Sequence, residues 1–156
     1  MRVIKLALIS FIVFFLLLTV ISLFIPSSIR ISKATNVYAS PEQALNFIKD
    51  TSRWNDWQPL YQQLVAQQRT DHFDITMLNQ SDSSVQFQTR YKGQSPIVNG
   101  FQVYRFPTTD SLTVQWYMDF KLPWYPWQKF GSLFYENTYG QMMQNGLVQF
   151  KETLEK

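Results

Sequence analysis

Leu112-Thr113-Val114-Gln115-Trp116-Tyr117-Met118-Asp119-Phe120-Lys121-Leu122 is the stretch on which the fold turns. Leu112, Val114, Trp116, Met118, Phe120 and Leu122 are apolar, and Thr113, Gln115, Tyr117, Asp119 and Lys121 alternate with them. In a strand such alternation places one set on each face, so the sheet that holds it covers something on one side only. Upstream, His72–Asn79, Ser84–Gly93 and Ile97–Phe106 read as further strands. Gln80–Ser83, Gln94-Ser95-Pro96 and Pro107–Asp110 separate them with turn-rich sequence. Val85, Phe87, Thr89 and Tyr91 alternate against Gln86, Gln88, Arg90 and Lys92. Connections this short join antiparallel neighbours.

On the C-terminal side no proline interrupts Gln128–Leu154, and Leu133, Met143, Leu147, Phe150 and Leu154 recur at helical spacing. A long helix there is what the sheet covers. Gly131, Gly140 and Gly146 each lower helix propensity by about 1 kcal/mol. They mark either close packing on the sheet or room for a ligand.

On the N-terminal side, Ile29, Ile31 and Val37 share strand parity. Ser40-Pro41-Glu42-Gln43 then starts a helix, with Ser40 as cap, Pro41 at the first position and Gln43 as capping-box partner. Ala44, Leu45, Phe47 and Ile48 form its apolar face. Trp54 and Trp57 follow on a second short helix or turn, one side shared if helical. Pro59–Asp71 is glutamine-rich and shows no clear period.

Leu6–Ile25 is a run of twenty residues without a charge. At 1.5 Å per residue such a helix spans about 30 Å, the thickness of a bilayer's hydrocarbon core. Sixteen of them are Leu, Ile, Val or Phe, and the run exceeds the roughly 7–15 residues of a cleaved signal's apolar core. Residues 1–26 are therefore expected to be an N-terminal transmembrane anchor, with 27–156 a domain tethered beside the membrane. Arg2 and Lys5 favour a cytoplasmic N-terminus against the opposing Arg30 and Lys33, which puts the domain on the outer side of a bacterial inner membrane.

The net charge of +3 is shaped by Arg2 and Lys5. Past Pro26 there are twelve Lys/Arg against eleven Asp/Glu, and no basic cluster exists to attract phosphate backbones, so nucleic acid is not an expected partner. Cysteine is absent, which excludes disulfides, thiolate metal sites and thiol nucleophiles. All five Trp and eight of the thirteen Phe lie after residue 53, where aromatics fill cores, line apolar pockets or sit at membrane interfaces.

Three segments carry a likeness to a known group. They are the strand leading into Ala39-Ser40-Pro41-Glu42-Gln43-Ala44 with Phe47, Asp50, Trp54 and Trp57; the strand of Val114 and Trp116 ending in the Pro123 loop; and Gly146-Leu147-Val148-Gln149-Phe150-Lys151 on the last helix. In this order they resemble the START-like superfamily. It is also called the Bet v 1-like or SRPBCC group of polyketide cyclases/dehydrases and lipid-transport proteins, and the match is to bacterial members with an N-terminal anchor. The resemblance implies an α+β helix-grip fold: a curved antiparallel sheet wrapped around a long C-terminal helix, preceded by one transmembrane helix, with an apolar cavity between sheet and helix. Pro59–Asp71 departs from the group's pattern, being short and lacking glycines. A strand missing there would narrow the sheet and shrink or open the cavity.

Strand parity and helix spacing nominate Phe87, Tyr91, Trp116, Met118 and Met143 as cavity lining, followed by Trp57 and Tyr104. Pro123-Trp124-Tyr125-Pro126-Trp127 reads as a rigid turn or as a membrane-facing loop, in which Trp124, Tyr125 and Trp127 sit at the headgroups. The expected activity is binding of a hydrophobic ligand, lipid or isoprenoid-like, beside the bilayer, with no cofactor and no metal. Two alternatives stay open: a cyclase or dehydratase in the same cavity, and a ligand-free interaction module of the cell envelope. His72, the single histidine, shares a strand face with Asp74 but not Asp71, too few ligands for a firm metal site. Asp119 lies on a polar face. Glu136 is a candidate acid or base only if the last helix turns it inward.

Overall fold

The alternating segment is realised as a strand in a computed structural model that describes residues 2–107 and 109–156. Five strands form one antiparallel sheet: β1 (Ser28–Val37), β2 (Phe73–Gln80), β3 (Ser84–Tyr91), β4 (Ile97–Arg105) and β5 (Leu112–Lys121), in the order β1-β5-β4-β3-β2. The sheet is curved, and the C-terminal helix α6 (Gln141–Leu154) lies in its concave side. The fold is α+β, as its pattern predicts.

The first helix, α1 (Arg2–Ser22), is exposed along nearly its whole length and is the one helix among the described residues long and apolar enough to cross a membrane. The Thr19 and Ser22 hydroxyls donate back to Phe15 O at 2.8 Å and Thr19 O at 2.7 Å, so neither adds an unpaired polar group. Helix α2 (Pro41–Lys49) begins with the full capping box: Ser40 Oγ accepts from Gln43 N, and Gln43 Oε1 accepts from Ser40 N. Its buried face is Ala44, Leu45, Phe47 and Ile48.

Between α2 and the sheet the chain makes two further short helices, α3 (Trp54–Trp57) and α4 (Pro59–Ala66). Both tryptophans of α3 point into the core. Trp57 is 0% exposed; its ring centroid lies 5.2 Å from Phe150, 5.8 Å from Phe101 and 5.9 Å from Trp116. Trp54 packs edge-on to Phe87 at 5.1 Å. This aromatic cluster fills the space between sheet and α6. Gly146 shows how tightly: a Cβ there would stand 2.8 Å from Pro59 Cδ and 2.9 Å from Trp116 Cζ3. Close packing therefore explains Gly146, whereas a Cβ at Gly131 would meet nothing within 4 Å.

The single long helix expected over 128–154 is divided. Helix α5 (Pro126–Ser132) ends in a turn at Leu133 and Phe134, and a π-helical turn, Glu136–Gly140, leads into α6. The change of direction follows from what α5 packs against. Its Lys129 is buried and donates through Nζ to the carbonyl of Ile25 at 2.9 Å, just past the end of α1, where Ser22 is also buried. Ser132 Oγ closes the α5 turn on Lys129 O at 2.6 Å. At the next corner, Lys33 Nζ of β1 meets Glu136 Oε1 at 2.6 Å, tying the π turn to the sheet edge.

Candidate functional site

Strand register defines an anchor end of the sheet. Ser28 pairs with Lys121, Phe120 with Ile97, Thr89 with Ile97 and Phe73 with Tyr91. Ser27 O accepts from Leu122 N at 2.8 Å, two residues after the carbonyl held by Lys129. At this end the aromatic filling stops and a groove opens. One part, about 190 Å³, lies between α4 and the ends of β2, β3 and β4; Leu60, Leu64, Phe73, Tyr91, Ile97 and Tyr139 supply its apolar surface. A wider cleft of about 450 Å³ adjoins it, sharing Gln94, Ser95, Ile97 and Tyr139 and continuing to Phe120, Leu122 and Tyr135.

Below the groove sits a buried polar chain. Trp116 Nε1 donates to Asn99 Oδ1 at 3.2 Å, Asn99 Nδ2 to Thr89 Oγ1 at 2.9 Å, and the Thr89 hydroxyl reaches Ile97 O at 3.4 Å. Thr89 and Asn99 are thereby satisfied, which their burial requires. The Trp57 indole N–H has no partner among the described residues. Burial beside Tyr135 raises the Tyr139 phenol above its ordinary pKa, so it is neutral at physiological pH.

The groove's polar rim comes from the end of α4. Gln68 adopts φ +53° in the left-handed region, and Arg69 N donates to Leu64 O at 2.9 Å, the closure of a helix C-terminus. This holds Arg69 over the groove with its guanidinium carbon 4.9 Å from the Tyr91 ring centroid. Arg69 takes part in no ion pair among the described residues.

Of the residues nominated from sequence, Tyr91 lines the groove. Trp57, Phe87, Trp116, Met118 and Met143 are brought together but packed solid beneath it, each at most 1% exposed. Tyr104 faces outward, hydrogen-bonded to Gln102 and Gln115 on the convex side. Its neighbour Val103 takes the inward position, as strand parity demands. Trp124 and Trp127 are 67% and 60% exposed, with Tyr125 stacked on Trp127 at 5.0 Å. Leu133 and Phe134, at 63% and 65%, extend this apolar surface on the corner after α5.

Glu136 is solvent-facing and paired with Lys33, and Asp119 makes a bidentate pair with Arg30 at 2.6 and 2.7 Å on the convex face. His72 Nε2 lies 3.6 Å from Asp71 Oδ2. No group of three His, Asp or Glu able to hold a metal occurs among the described residues.

Five antiparallel strands closing on a terminal helix, with short helices between β1 and β2, are also found in solved proteins. A START superfamily protein from Mycobacterium smegmatis superposes with a TM-score of 0.50 at 12% identity, covering 80% of this chain and 98% of that one. This is the START-like fold, the SRPBCC/Bet v 1-like architecture. A Bacillus thuringiensis protein matches the START-like domain at 0.54 and 11% identity, over 82% of this chain and all 100% of that chain. The di-domain ARO/CYC StfQ of the steffimycin biosynthetic pathway matches at 0.55 and 5% identity, over 80% of this chain and 50% of StfQ. No protein-family pattern and no curated protein matches the sequence. The START-like fold is thus carried by architecture at identities where residue roles do not transfer.

Proposed function

We propose that residues 27–156 form a membrane-tethered binding domain for a hydrophobic ligand, a lipid or isoprenoid-like molecule, with residues 1–26 as the transmembrane anchor. The observation that carries this reading is the position of the groove: it opens at the end of the sheet where the anchor joins. Burial of a chain against Leu64, Phe73, Tyr91 and Ile97 would contribute about 25 cal/mol per Å². Trp57, Phe87, Trp116, Met118 and Met143 serve as the rigid floor. Trp124, Tyr125 and Trp127 meet the headgroup zone, where amphipathic rings partition. Arg2 and Lys5 favour a cytoplasmic N-terminus and a domain on the outer side of a bacterial inner membrane.

The test is organic extraction and mass spectrometry of the detergent-purified chain. A species enriched over bulk membrane lipid is expected, and Ile97→Trp, which fills the groove, should lose it. The solid core beneath the groove favours a second reading, a ligand-free envelope module. Identical lipid profiles for both proteins would establish that reading instead.

A further inference from the structure

Resting on the groove reading above, we infer that the groove takes single-chain amphiphiles with an oxyanion head, a carboxylate or a phosphate, held by the guanidinium of Arg69. The charge pattern points there first. Arg69 is the one ionic side chain lining the narrow part, apart from two phenols, and it lacks a carboxylate partner among the described residues. The acid nearest in sequence, Asp71, lies against His72. Stacking on Tyr91 occupies a face of the guanidinium and leaves its in-plane N–H groups free to donate to an oxyanion, the geometry Arg favours. Gln63, Gln67 and Gln94 around it offer neutral donors, so nothing on the rim repels an anion.

Size decides the rest. About 190 Å³ lies below the roughly 300 Å³ at which pockets for drug-sized ligands begin. Two acyl chains do not fit. A single chain can continue past Ile97 and Tyr139 into the open cleft toward Phe120 and Leu122. The head then rests by α4 and the tail runs toward α5 and the anchor.

The experiment uses the full chain in phosphatidylcholine nanodiscs with three probes carrying a chain-end diazirine: myristate, myristyl phosphate and myristyl alcohol. Photolabelling of groove peptides is read by mass spectrometry for wild type, Arg69→Gln and Arg69→Lys. At least one anionic probe should label the groove about tenfold more than the alcohol, the scale of a charge-assisted hydrogen bond. Arg69→Gln should abolish that preference and Arg69→Lys retain part of it. Labelling by myristate alone or by the phosphate alone identifies the head, and excess inorganic phosphate should not displace either chain. If the alcohol labels as strongly as both anions, or Arg69→Gln leaves the preference intact, the head-group inference is overturned while the groove stands. If no probe labels the groove, the apolar-ligand reading falls with it.

Discussion

Gly146→Ala measures whether the space between sheet and helix is filled. The new Cβ would sit 2.8 Å from Pro59 Cδ, 2.9 Å from Trp116 Cζ3 and 3.2 Å from the Trp57 carbonyl oxygen. A proline ring, a fully buried indole and backbone cannot move aside as a flexible side-chain tip does. Overpacking of this kind costs about 1–3 kcal/mol, and Ala over Gly returns about 1 kcal/mol of helix propensity. The net expectation is a loss of about 1 kcal/mol. Gly131→Ala is the control, because nothing lies within 4 Å of its Cβ; only the propensity gain, about 0.5–1 kcal/mol toward a helix end, remains. Thermal unfolding of both variants in detergent, followed by circular dichroism, should move in opposite directions. Each kcal/mol corresponds to about 3–6 °C. If Gly146→Ala raises Tm as much as Gly131→Ala does, the helix stands off from Trp57 and Trp116, and the packed floor does not exist.

Trp57→Phe and Trp116→Phe should differ although both remove part of a buried indole. The first creates a small void of about 1 kcal/mol but deletes a donor that has no partner, itself worth about 1–3 kcal/mol, so urea denaturation should find it near neutral or stabilising. The second also strips Asn99 of its donor and should lose about 2 kcal/mol or more. Brominated lipids in nanodiscs should quench tryptophan emission through Trp124 and Trp127 alone, since Trp54, Trp57 and Trp116 are buried; quenching that survives Trp124→Phe with Trp127→Phe would remove the interfacial role. Tyr139 has a pKa raised by burial, so its neutral form is favoured in the folded chain and its contribution is lost as pH climbs past the unfolded phenol value of about 10. Tyr139→Phe should therefore flatten the alkaline fall in Tm, and an unchanged slope would show the phenol to be solvated.

The sheet was legible because alternation is local: the strand around Trp116 and the partners Val85, Phe87 and Thr89 show their faces in sequence. The Ser40-Pro41-Gln43 cap was legible for the same reason. Helix α4 was not. Gln58-Pro59 starts it as Ser40-Pro41 starts α2, with the Gln58 side chain accepting from Tyr61 N, but glutamine is an uncommon cap and the apolar residues that follow are few. Parity correctly turned Phe87, Trp116 and Met118 inward, yet it carries no measure of volume. It could not tell that Trp57 would occupy the space those residues enclose. The groove was hidden because Arg69, Ile97 and Tyr139 come from separate elements and meet only through the fold. Leu133 fitted the helical period and is nevertheless exposed, because Lys129 draws α5 onto the end of α1 and breaks the helix there.

That junction also limits how far the domain travels. Only Pro26 and Ser27 lie between the Ile25 carbonyl held by Lys129 and the first strand, about 7 Å of fully extended chain. In a bilayer such a connection leaves no slack for roaming: the grip rides at constant height, as a fixture and not a ferry. Whatever it holds is picked up and handed over within a few side-chain lengths of one surface, and delivery to a second membrane falls to a separate, diffusible carrier.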